Sequence, residues 1–440
     1  MLIAIVSEFP QEDFFQWYEI WGNFEEQLKR GVIVKPILMS RATMDYPAND
    51  PHWFWLRKAD LVFIYCTRVD MRDNWKWWEL PVHARKLMRP DAKMIVQYDD
   101  EFMWVFNPKF AWWREEWEVD PKCTPEEFFK NTGILEVADM YWTVLETPPW
   151  AQYTSKPWRY MPLPQLMRYD NAIANAEHLH DTEGIEAMHQ KTIALIRHSI
   201  RIASIFTVLT EVCDKVNLPV TYFPILFGDS PHYPKVKIPV CIFPFSNRDV
   251  YMYKLLRDCF IGLDVAEGYI GWSRFAMECA VNYIPCIGSN HASKLFFPEL
   301  YVDQKDYPRQ IQLIKQLLND KGFYKRMAEE GHRKCLQHLD LNRLRDEVIN
   351  AAHFLQINET HYDMDSLEKE LFMLILEKLL PWNMPPPRPT HPDSKVFDDY
   401  SHKQITQAEW DACYGRFKRF MDDEKVYKEV IAQVTERKGR

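Results

Sequence analysis

Arg274 and Glu278 stand four residues apart at the start of a short helical stretch, a spacing that sets a guanidinium and a carboxylate on one face. The arginine occupies the first turn, where the helix dipole disfavours a cation, and it precedes the acid in the weaker order for an intrahelical pair. A positive charge set against the dipole asks for an anion. Amides at the helix start and the Arg274 guanidinium can together hold a phosphate, while Glu278, one turn on, can accept bonds from sugar hydroxyls. A solvated pair on a surface helix accounts for the same residue types, and the sequence leaves both readings open. Two further polar groups carry chemistry. The turn Ser289, Asn290, His291, Ala292 and Ser293 can present amides to a diphosphate. Asp99, Asp100 and Glu101 lie just past an apolar strand and ahead of Trp104, whose ring can stack on a sugar or base; capping of a following helix is the other use for the two aspartates.

The elements that must position these groups follow from the patterning. Residues 260–265 form a short apolar run, Gly268 and Gly271 bracket a loop free to take positive φ, and Ser273 stands at the N-cap place of a helix running from Arg274 to about Asn282. Pro285 ends that helix, and 284–287 makes a second buried strand closing at Gly288. A strand, loop, helix and strand with the polar loop at the strand's carboxyl end is where open α/β sheets bind ligands. Upstream, 2–7, 32–39, 59–65, 93–98 and 138–146 read as strands, with helical stretches at 14–28, 74–88 and 124–130. Strands nearly continuous in apolar residues and alternating with helices imply a parallel sheet covered on both faces.

The alternation repeats at 192–197, 219–223 and 239–243, with helices at 202–216, 249–259, 309–318, 324–338 and 342–354. The chain therefore divides into a Rossmann-like unit at 1–165, a polar, His-rich, weakly helical and solvated connector at 166–190, a second Rossmann-like unit at 191–355, and a helical extension at 356–440. The extension holds a helix at 367–380, a proline-rich break at 381–392 and a charged amphipathic helix at 408–434. It can cross back onto the first unit or mediate assembly.

Composition narrows the classes. A net charge of −9 argues against a general polyanion-binding surface, and neither GxGxxG nor GxxxxGK[ST] occurs, which excludes a dinucleotide fingerprint and a P-loop. Nine cysteines without a CxxC pair read as reduced, buried thiols of a cytoplasmic protein, and His178, His180 and His189 share no metal-ligand spacing with acids or cysteines. The amino-terminal run is strand-like and lacks the pattern of a signal peptide, and the apolar run 371–380 is too short and too charged to span a bilayer.

The segment 271–290, GWSRFAMECAVNYIPCIGSN, resembles the donor-site segment of retaining GT-B glycosyltransferases of the group 1, family 4-like class. In that class Glu, Gly, an aromatic, Gly and Arg are followed by a second Glu and by a Gly-x-Pro turn into a strand. In register, Gly271, Trp272, Ser273, Arg274, Glu278 and Pro285 take the places of Gly, aromatic, second Gly, Arg, second Glu and Pro. The first Glu falls on Ile270, with Glu267 three residues upstream as the nearby substitute. VQYDDEFMWVFNP at 96–108 resembles the class's acceptor-side segment, and 138–152 with 158–164 resembles the end of its first domain, with Leu163 where Asn is usual.

The resemblance covers about 1–355 and implies an α/β chain of two Rossmann-like domains facing across a cleft, the GT-B fold, here with a helical C-terminal extension. It implies transfer of a sugar from a nucleoside diphosphate sugar, with retention and without a metal or other cofactor. Arg197, Gly271, Ser273, Arg274, Glu278, Ser289 and Asn290 would bind the donor, although the Lys that usually partners Arg197 has no match. Asp99, Asp100 and Trp104 would face the acceptor, and Asp100, Glu267 and Arg274 would act in catalysis. A UDP-sugar is the default donor; a glycan, lipid, protein or small molecule is the expected acceptor, and a modified nucleic-acid base a less favoured one. Ile270 and the missing Lys carry the rival reading, a catalytically silent GT-B module used for nucleotide binding or assembly.

Overall fold

The computed structural model describes residues 1–7, 21–22, 24–39, 41–66, 79–98, 106, 119–161, 169–185, 187, 189, 192–196, 207–223, 236–243, 248–265, 273–357, 362–379, 425, 428–429, 432–433 and 436. In the first unit β1 (Leu2–Ser7), α1 (Phe24–Lys29), β2 (Ile33–Leu38), α2 (Phe54–Lys58), β3 (Leu61–Cys66), α3 (Glu79–Leu87), β4 (Lys93–Tyr98), α4 (Pro125–Thr132), β5 (Met140–Thr143) and β6 (Trp158–Tyr160) follow in order. Their strands form one parallel sheet, β2-β1-β3-β4-β5-β6. Ile3, Ile5, Phe63, Tyr65 and Ile95 are buried on one face, and Leu2, Ala4, Val6, Val62, Ile64, Met94 and Val96 on the other. Burial of both faces is why the strands read as unbroken apolar runs. The capped helix expected near Thr124 is α4: Thr124 and Glu127 make a reciprocal capping box, and Gly133 closes the helix at φ 68°.

The second unit holds α5 (Asp170–Glu183), β7 (Ile193–Ile196), β8 (Val220–Phe223), β9 (Val240–Ile242), α6 (Arg248–Asp258), β10 (Ile261–Asp264), α7 (Arg274–Val281), β11 (Cys286–Gly288), α8 (His291–Phe296), α9 (Tyr307–Asn319), α10 (Lys321–His338) and α11 (Leu341–Phe354). The helix between β7 and β8 contains a π turn at Leu209–Cys213. The sheet is again parallel, β11-β10-β7-β8-β9. The chain winds outward in both directions from β7, which makes the carboxyl ends of β7 and β10 the switch point where such sheets usually bind ligands. The two-unit α/β architecture expected from the sequence is the one observed.

The connector is helical, as its sequence weakly indicated, but it is not solvated throughout. Most of 166–190 is helix α5, whose Tyr169, Ala172 and Ala176 are buried and which packs on α6 and α7. His189, expected to be solvated, is buried, and its Nδ1–H donates to the Leu256 carbonyl at 2.6 Å. Burial outweighs that bond and pushes the imidazole down from 6.5 to about 4. The native state then stays neutral while the unfolded chain takes up a proton. Stability from this group is complete above pH 6.5 and drains as pH falls toward 4, a loss of about 3 kcal/mol at about 1.4 kcal/mol per tenfold. Urea unfolding at pH 7 and pH 4.5 should show this loss, and His189→Asn should flatten it; equal slopes in the two proteins would contradict the buried site.

The first helix of the extension takes one of the two courses the sequence allowed. Helix α12 (Met364–Leu379) returns to the first unit, where Leu371, Phe372 and Met373 share a core with Trp53, Phe54 and Trp55. Glu368 pairs with Lys35, Glu370 with Lys58, and the Tyr362 hydroxyl donates to Asp60 Oδ1 at 2.6 Å. The proline-rich 381–392 and most of 408–434 lie outside the described residues, as does the 14–20 part of the first expected helix.

Candidate functional site

Helix α7 begins as the sequence indicates. Ser273 is its N-cap with extended backbone (φ −106°, ψ 121°), yet the Ser273 side chain makes no cap bond. Every residue from Phe275 to Val281 is buried, because α8 and α10 pack on the helix and β10 lies beneath it. That overturns the solvated surface-helix reading. Arg274 is the first residue of α7, partly exposed at the carboxyl edge of the sheet. At the other end the Asn282 side chain donates to the Glu278 carbonyl at 2.9 Å, and Tyr283 turns the chain at φ 56°, its ring stacked between His180 and His332.

Glu278 is placed otherwise than expected. It is 4% exposed; its Oε1 accepts from the Tyr169 hydroxyl at 3.1 Å and its Oε2 from the Tyr251 hydroxyl at 2.7 Å. The carboxylate thus receives two protein hydroxyls in the place of sugar hydroxyls, and it ties the start of α5 and the first turn of α6 to α7. Burial, and then the adjacent carboxylate charge, push the Tyr251 phenol well above its ordinary range, so it remains a donor.

The turn after β11 is a brace. A Cβ on Gly288 would fall 1.9 Å from Ser293 Oγ, so only glycine lets α8 approach this closely. The Ser289 amide donates to the Asp264 carbonyl at 3.2 Å. Asn290 Oδ1 accepts from the Ser293 amide at 2.9 Å, and its Nδ2 donates to Asp264 Oδ2 at 2.7 Å. Ser289 and Asn290, expected to meet a diphosphate, are engaged in joining β10 to α8. Asp264, which the sequence reading passed over, is an acid at the carboxyl end of an apolar strand, the same signal that had marked Asp99.

A second cluster spans the two units. Glu146, beyond β5 in the first sheet, meets Lys294 of α8 at 2.6 Å. Burial holds His291, at the start of α8, below its ordinary pKa, although Glu146 acts in the opposite sense. Burial, reinforced by Glu146, raises the Tyr160 phenol. The carboxyl edges of the two sheets therefore face each other here. Arg159 to Glu347 at 3.6 Å and Arg30 Nη2 to Asn342 Oδ1 at 2.9 Å join the units elsewhere. Asp99, Asp100, Trp104, Arg197, Glu267, Ile270, Gly271 and Trp272 lie outside the described residues. Among the described residues, no group of three or more His, Cys, Asp or Glu could hold a metal ion.

No family model matches the chain, and no curated protein matches it. Over 80% of its length it is structurally similar to Anabaena Alr3699/HepE in complex with UDP and glucose, covering 99% of that chain at 10% identity and a TM-score of 0.49. An alpha-glucosyltransferase in complex with UDP and a 13-mer DNA containing an HMU base aligns over 80% of this chain and 98% of its own, at 12% identity and a TM-score of 0.48. T4 phage BGT in complex with its UDP-glucose substrate aligns over 80% and 99%, at 13% identity and a TM-score of 0.46. Likeness of this degree concerns the path of the chain and nothing finer.

Proposed function

We propose that the chain is a glycosyltransferase that moves a sugar from a nucleoside diphosphate sugar to an acceptor, with retention of configuration and without a metal. The observation that carries this is Arg274 as the first residue of a buried helix that follows the carboxyl end of β10 in the second sheet. Departure of a diphosphate builds negative charge on the leaving oxygens. Amides at the start of α7 and the Arg274 guanidinium are the groups that would stabilise it, with Arg197 as the further basic residue. Asp100 and Glu267 as catalytic carboxylates, Gly271 at the donor, and Asp99 with Trp104 at the acceptor belong to the same proposal on the sequence resemblance alone. So do UDP as the donor nucleotide and a cytoplasmic location; no helix among the described residues is long and apolar enough to cross a membrane.

Two observations favour a second reading. Glu278 already holds two tyrosine hydroxyls, and Ile270 stands where the class has its first Glu. Both fit a module that binds nucleotide without transferring sugar. Melting temperatures with UDP, GDP, ADP and their glucose conjugates separate the readings. One nucleotide should raise the melting temperature, by the equivalent of about 2.7 kcal/mol at a hundred times its Kd, and its sugar conjugate should be turned over. A shift without turnover favours the silent module, and the absence of any shift sinks both.

A further inference from the structure

We propose that Lys294 is a second cation of the donor diphosphate site and that Glu146 holds its place until the donor arrives; this rests on the donor reading above. Lys294 lies one turn into α8, and helical side chains slant toward the helix N-terminus, here the carboxyl edge of the second sheet. Its ammonium meets Glu146 at 2.6 Å, and Glu146 follows β5 at the carboxyl edge of the first sheet. The charge therefore sits in the gap between the two edges, on the side of the molecule where Arg274 begins α7. The pair is open to solvent, with side chains 48% and 44% exposed, so the carboxylate holds the ammonium only weakly. A diphosphate, more highly charged than one carboxylate, can take the ammonium and release Glu146. In the sequence the usual lysine partner of Arg197 has no clear match, with Arg201 a possible replacement, and Lys294, from the same unit, would supply that second charge.

Calorimetric titration with uridine diphosphate at low salt tests the exchange. Lys294→Met should weaken binding about tenfold, as loss of one charge-assisted contact does, and Lys294→Arg should keep most of it. Glu146→Gln should tighten binding several-fold, since the competing anion is gone, and adding Glu146→Gln to Lys294→Met should bring no gain. A simple latch between the units would move both single variants in the same direction, so parallel weakening overturns the proposal, as does unchanged affinity in Lys294→Met. Both side chains are exposed, and melting curves will establish that the variants fold. If Arg274→Ala abolishes binding while Lys294→Met leaves it intact, the donor reading stands and the role of Lys294 falls. A wild-type chain that binds none of UDP, GDP or ADP overturns both.

Discussion

Arg274→Ala is expected to remove the response to a nucleoside diphosphate, weakening binding about a hundredfold and any sugar transfer with it. A guanidinium at the start of a buried helix acts together with amides that point the same way, so a phosphate there gains charge-assisted bonds worth about 1.5–3 kcal/mol, or ten- to more than a hundredfold. Arg274→Lys should recover only part of this, because an ammonium cannot make the planar two-pronged contact. Any cost to the fold is read separately, since Arg274 is partly exposed and the helix it begins is held by its apolar residues. Titration with UDP alongside a melting curve reads both quantities. Undiminished affinity in Arg274→Ala would remove the central residue of the proposed site.

Glu278→Ala carries the largest expected loss of stability. It strips the acceptor from the hydroxyls of Tyr169 and Tyr251 in a dry core and leaves a cavity, a combined cost of about 3–5 kcal/mol. For a unit of this size the melting temperature should fall by roughly 10 °C. Glu278→Gln keeps one acceptor oxygen and should cost about 1–2 kcal/mol. The pair of variants also decides what Glu278 does. If Glu278→Gln melts like the wild type yet loses UDP binding, the carboxylate serves a ligand and the tyrosine tie is incidental.

Legibility in the sequence followed the range of the physics involved. Strands β1 and β4 were readable to the residue because both faces of the sheet are buried and each run is continuously apolar. The start of α7 was marked by Ser273 and its end by the approach to Pro285, both local signals. The partners of Glu278 were not local: Tyr169 lies 109 residues away and Tyr251 lies 27 away, and no spacing rule reaches them. In 166–190 the buried stripe of Tyr169, Ala172 and Ala176 was present at helical spacing but masked by Asn, His and Glu on the other faces. The Asn290 cap was legible too, since Asn is a favoured N-cap residue, but a turn after a strand suggested ligand amides first. Roles assigned to Asp99, Asp100, Trp104, Arg197, Glu267 and Gly271 remain readings of sequence.

The return of α12 to the first unit has a consequence for synthesis. The strands that build the first sheet leave the ribosome early, but the side chains that seal the surface of Trp53, Phe54 and Trp55 are translated only after the whole second unit. Tyr362 follows Asp60, its hydrogen-bonding partner, by 302 residues, a delay of roughly 15–60 s at bacterial or eukaryotic elongation rates. Throughout that interval the nascent lobe carries an oily, unsealed flank while its neighbour is still being made. Birth order and completion order are thus reversed: the lobe begun first is finished last, and its quality control falls to whatever shields a growing polypeptide.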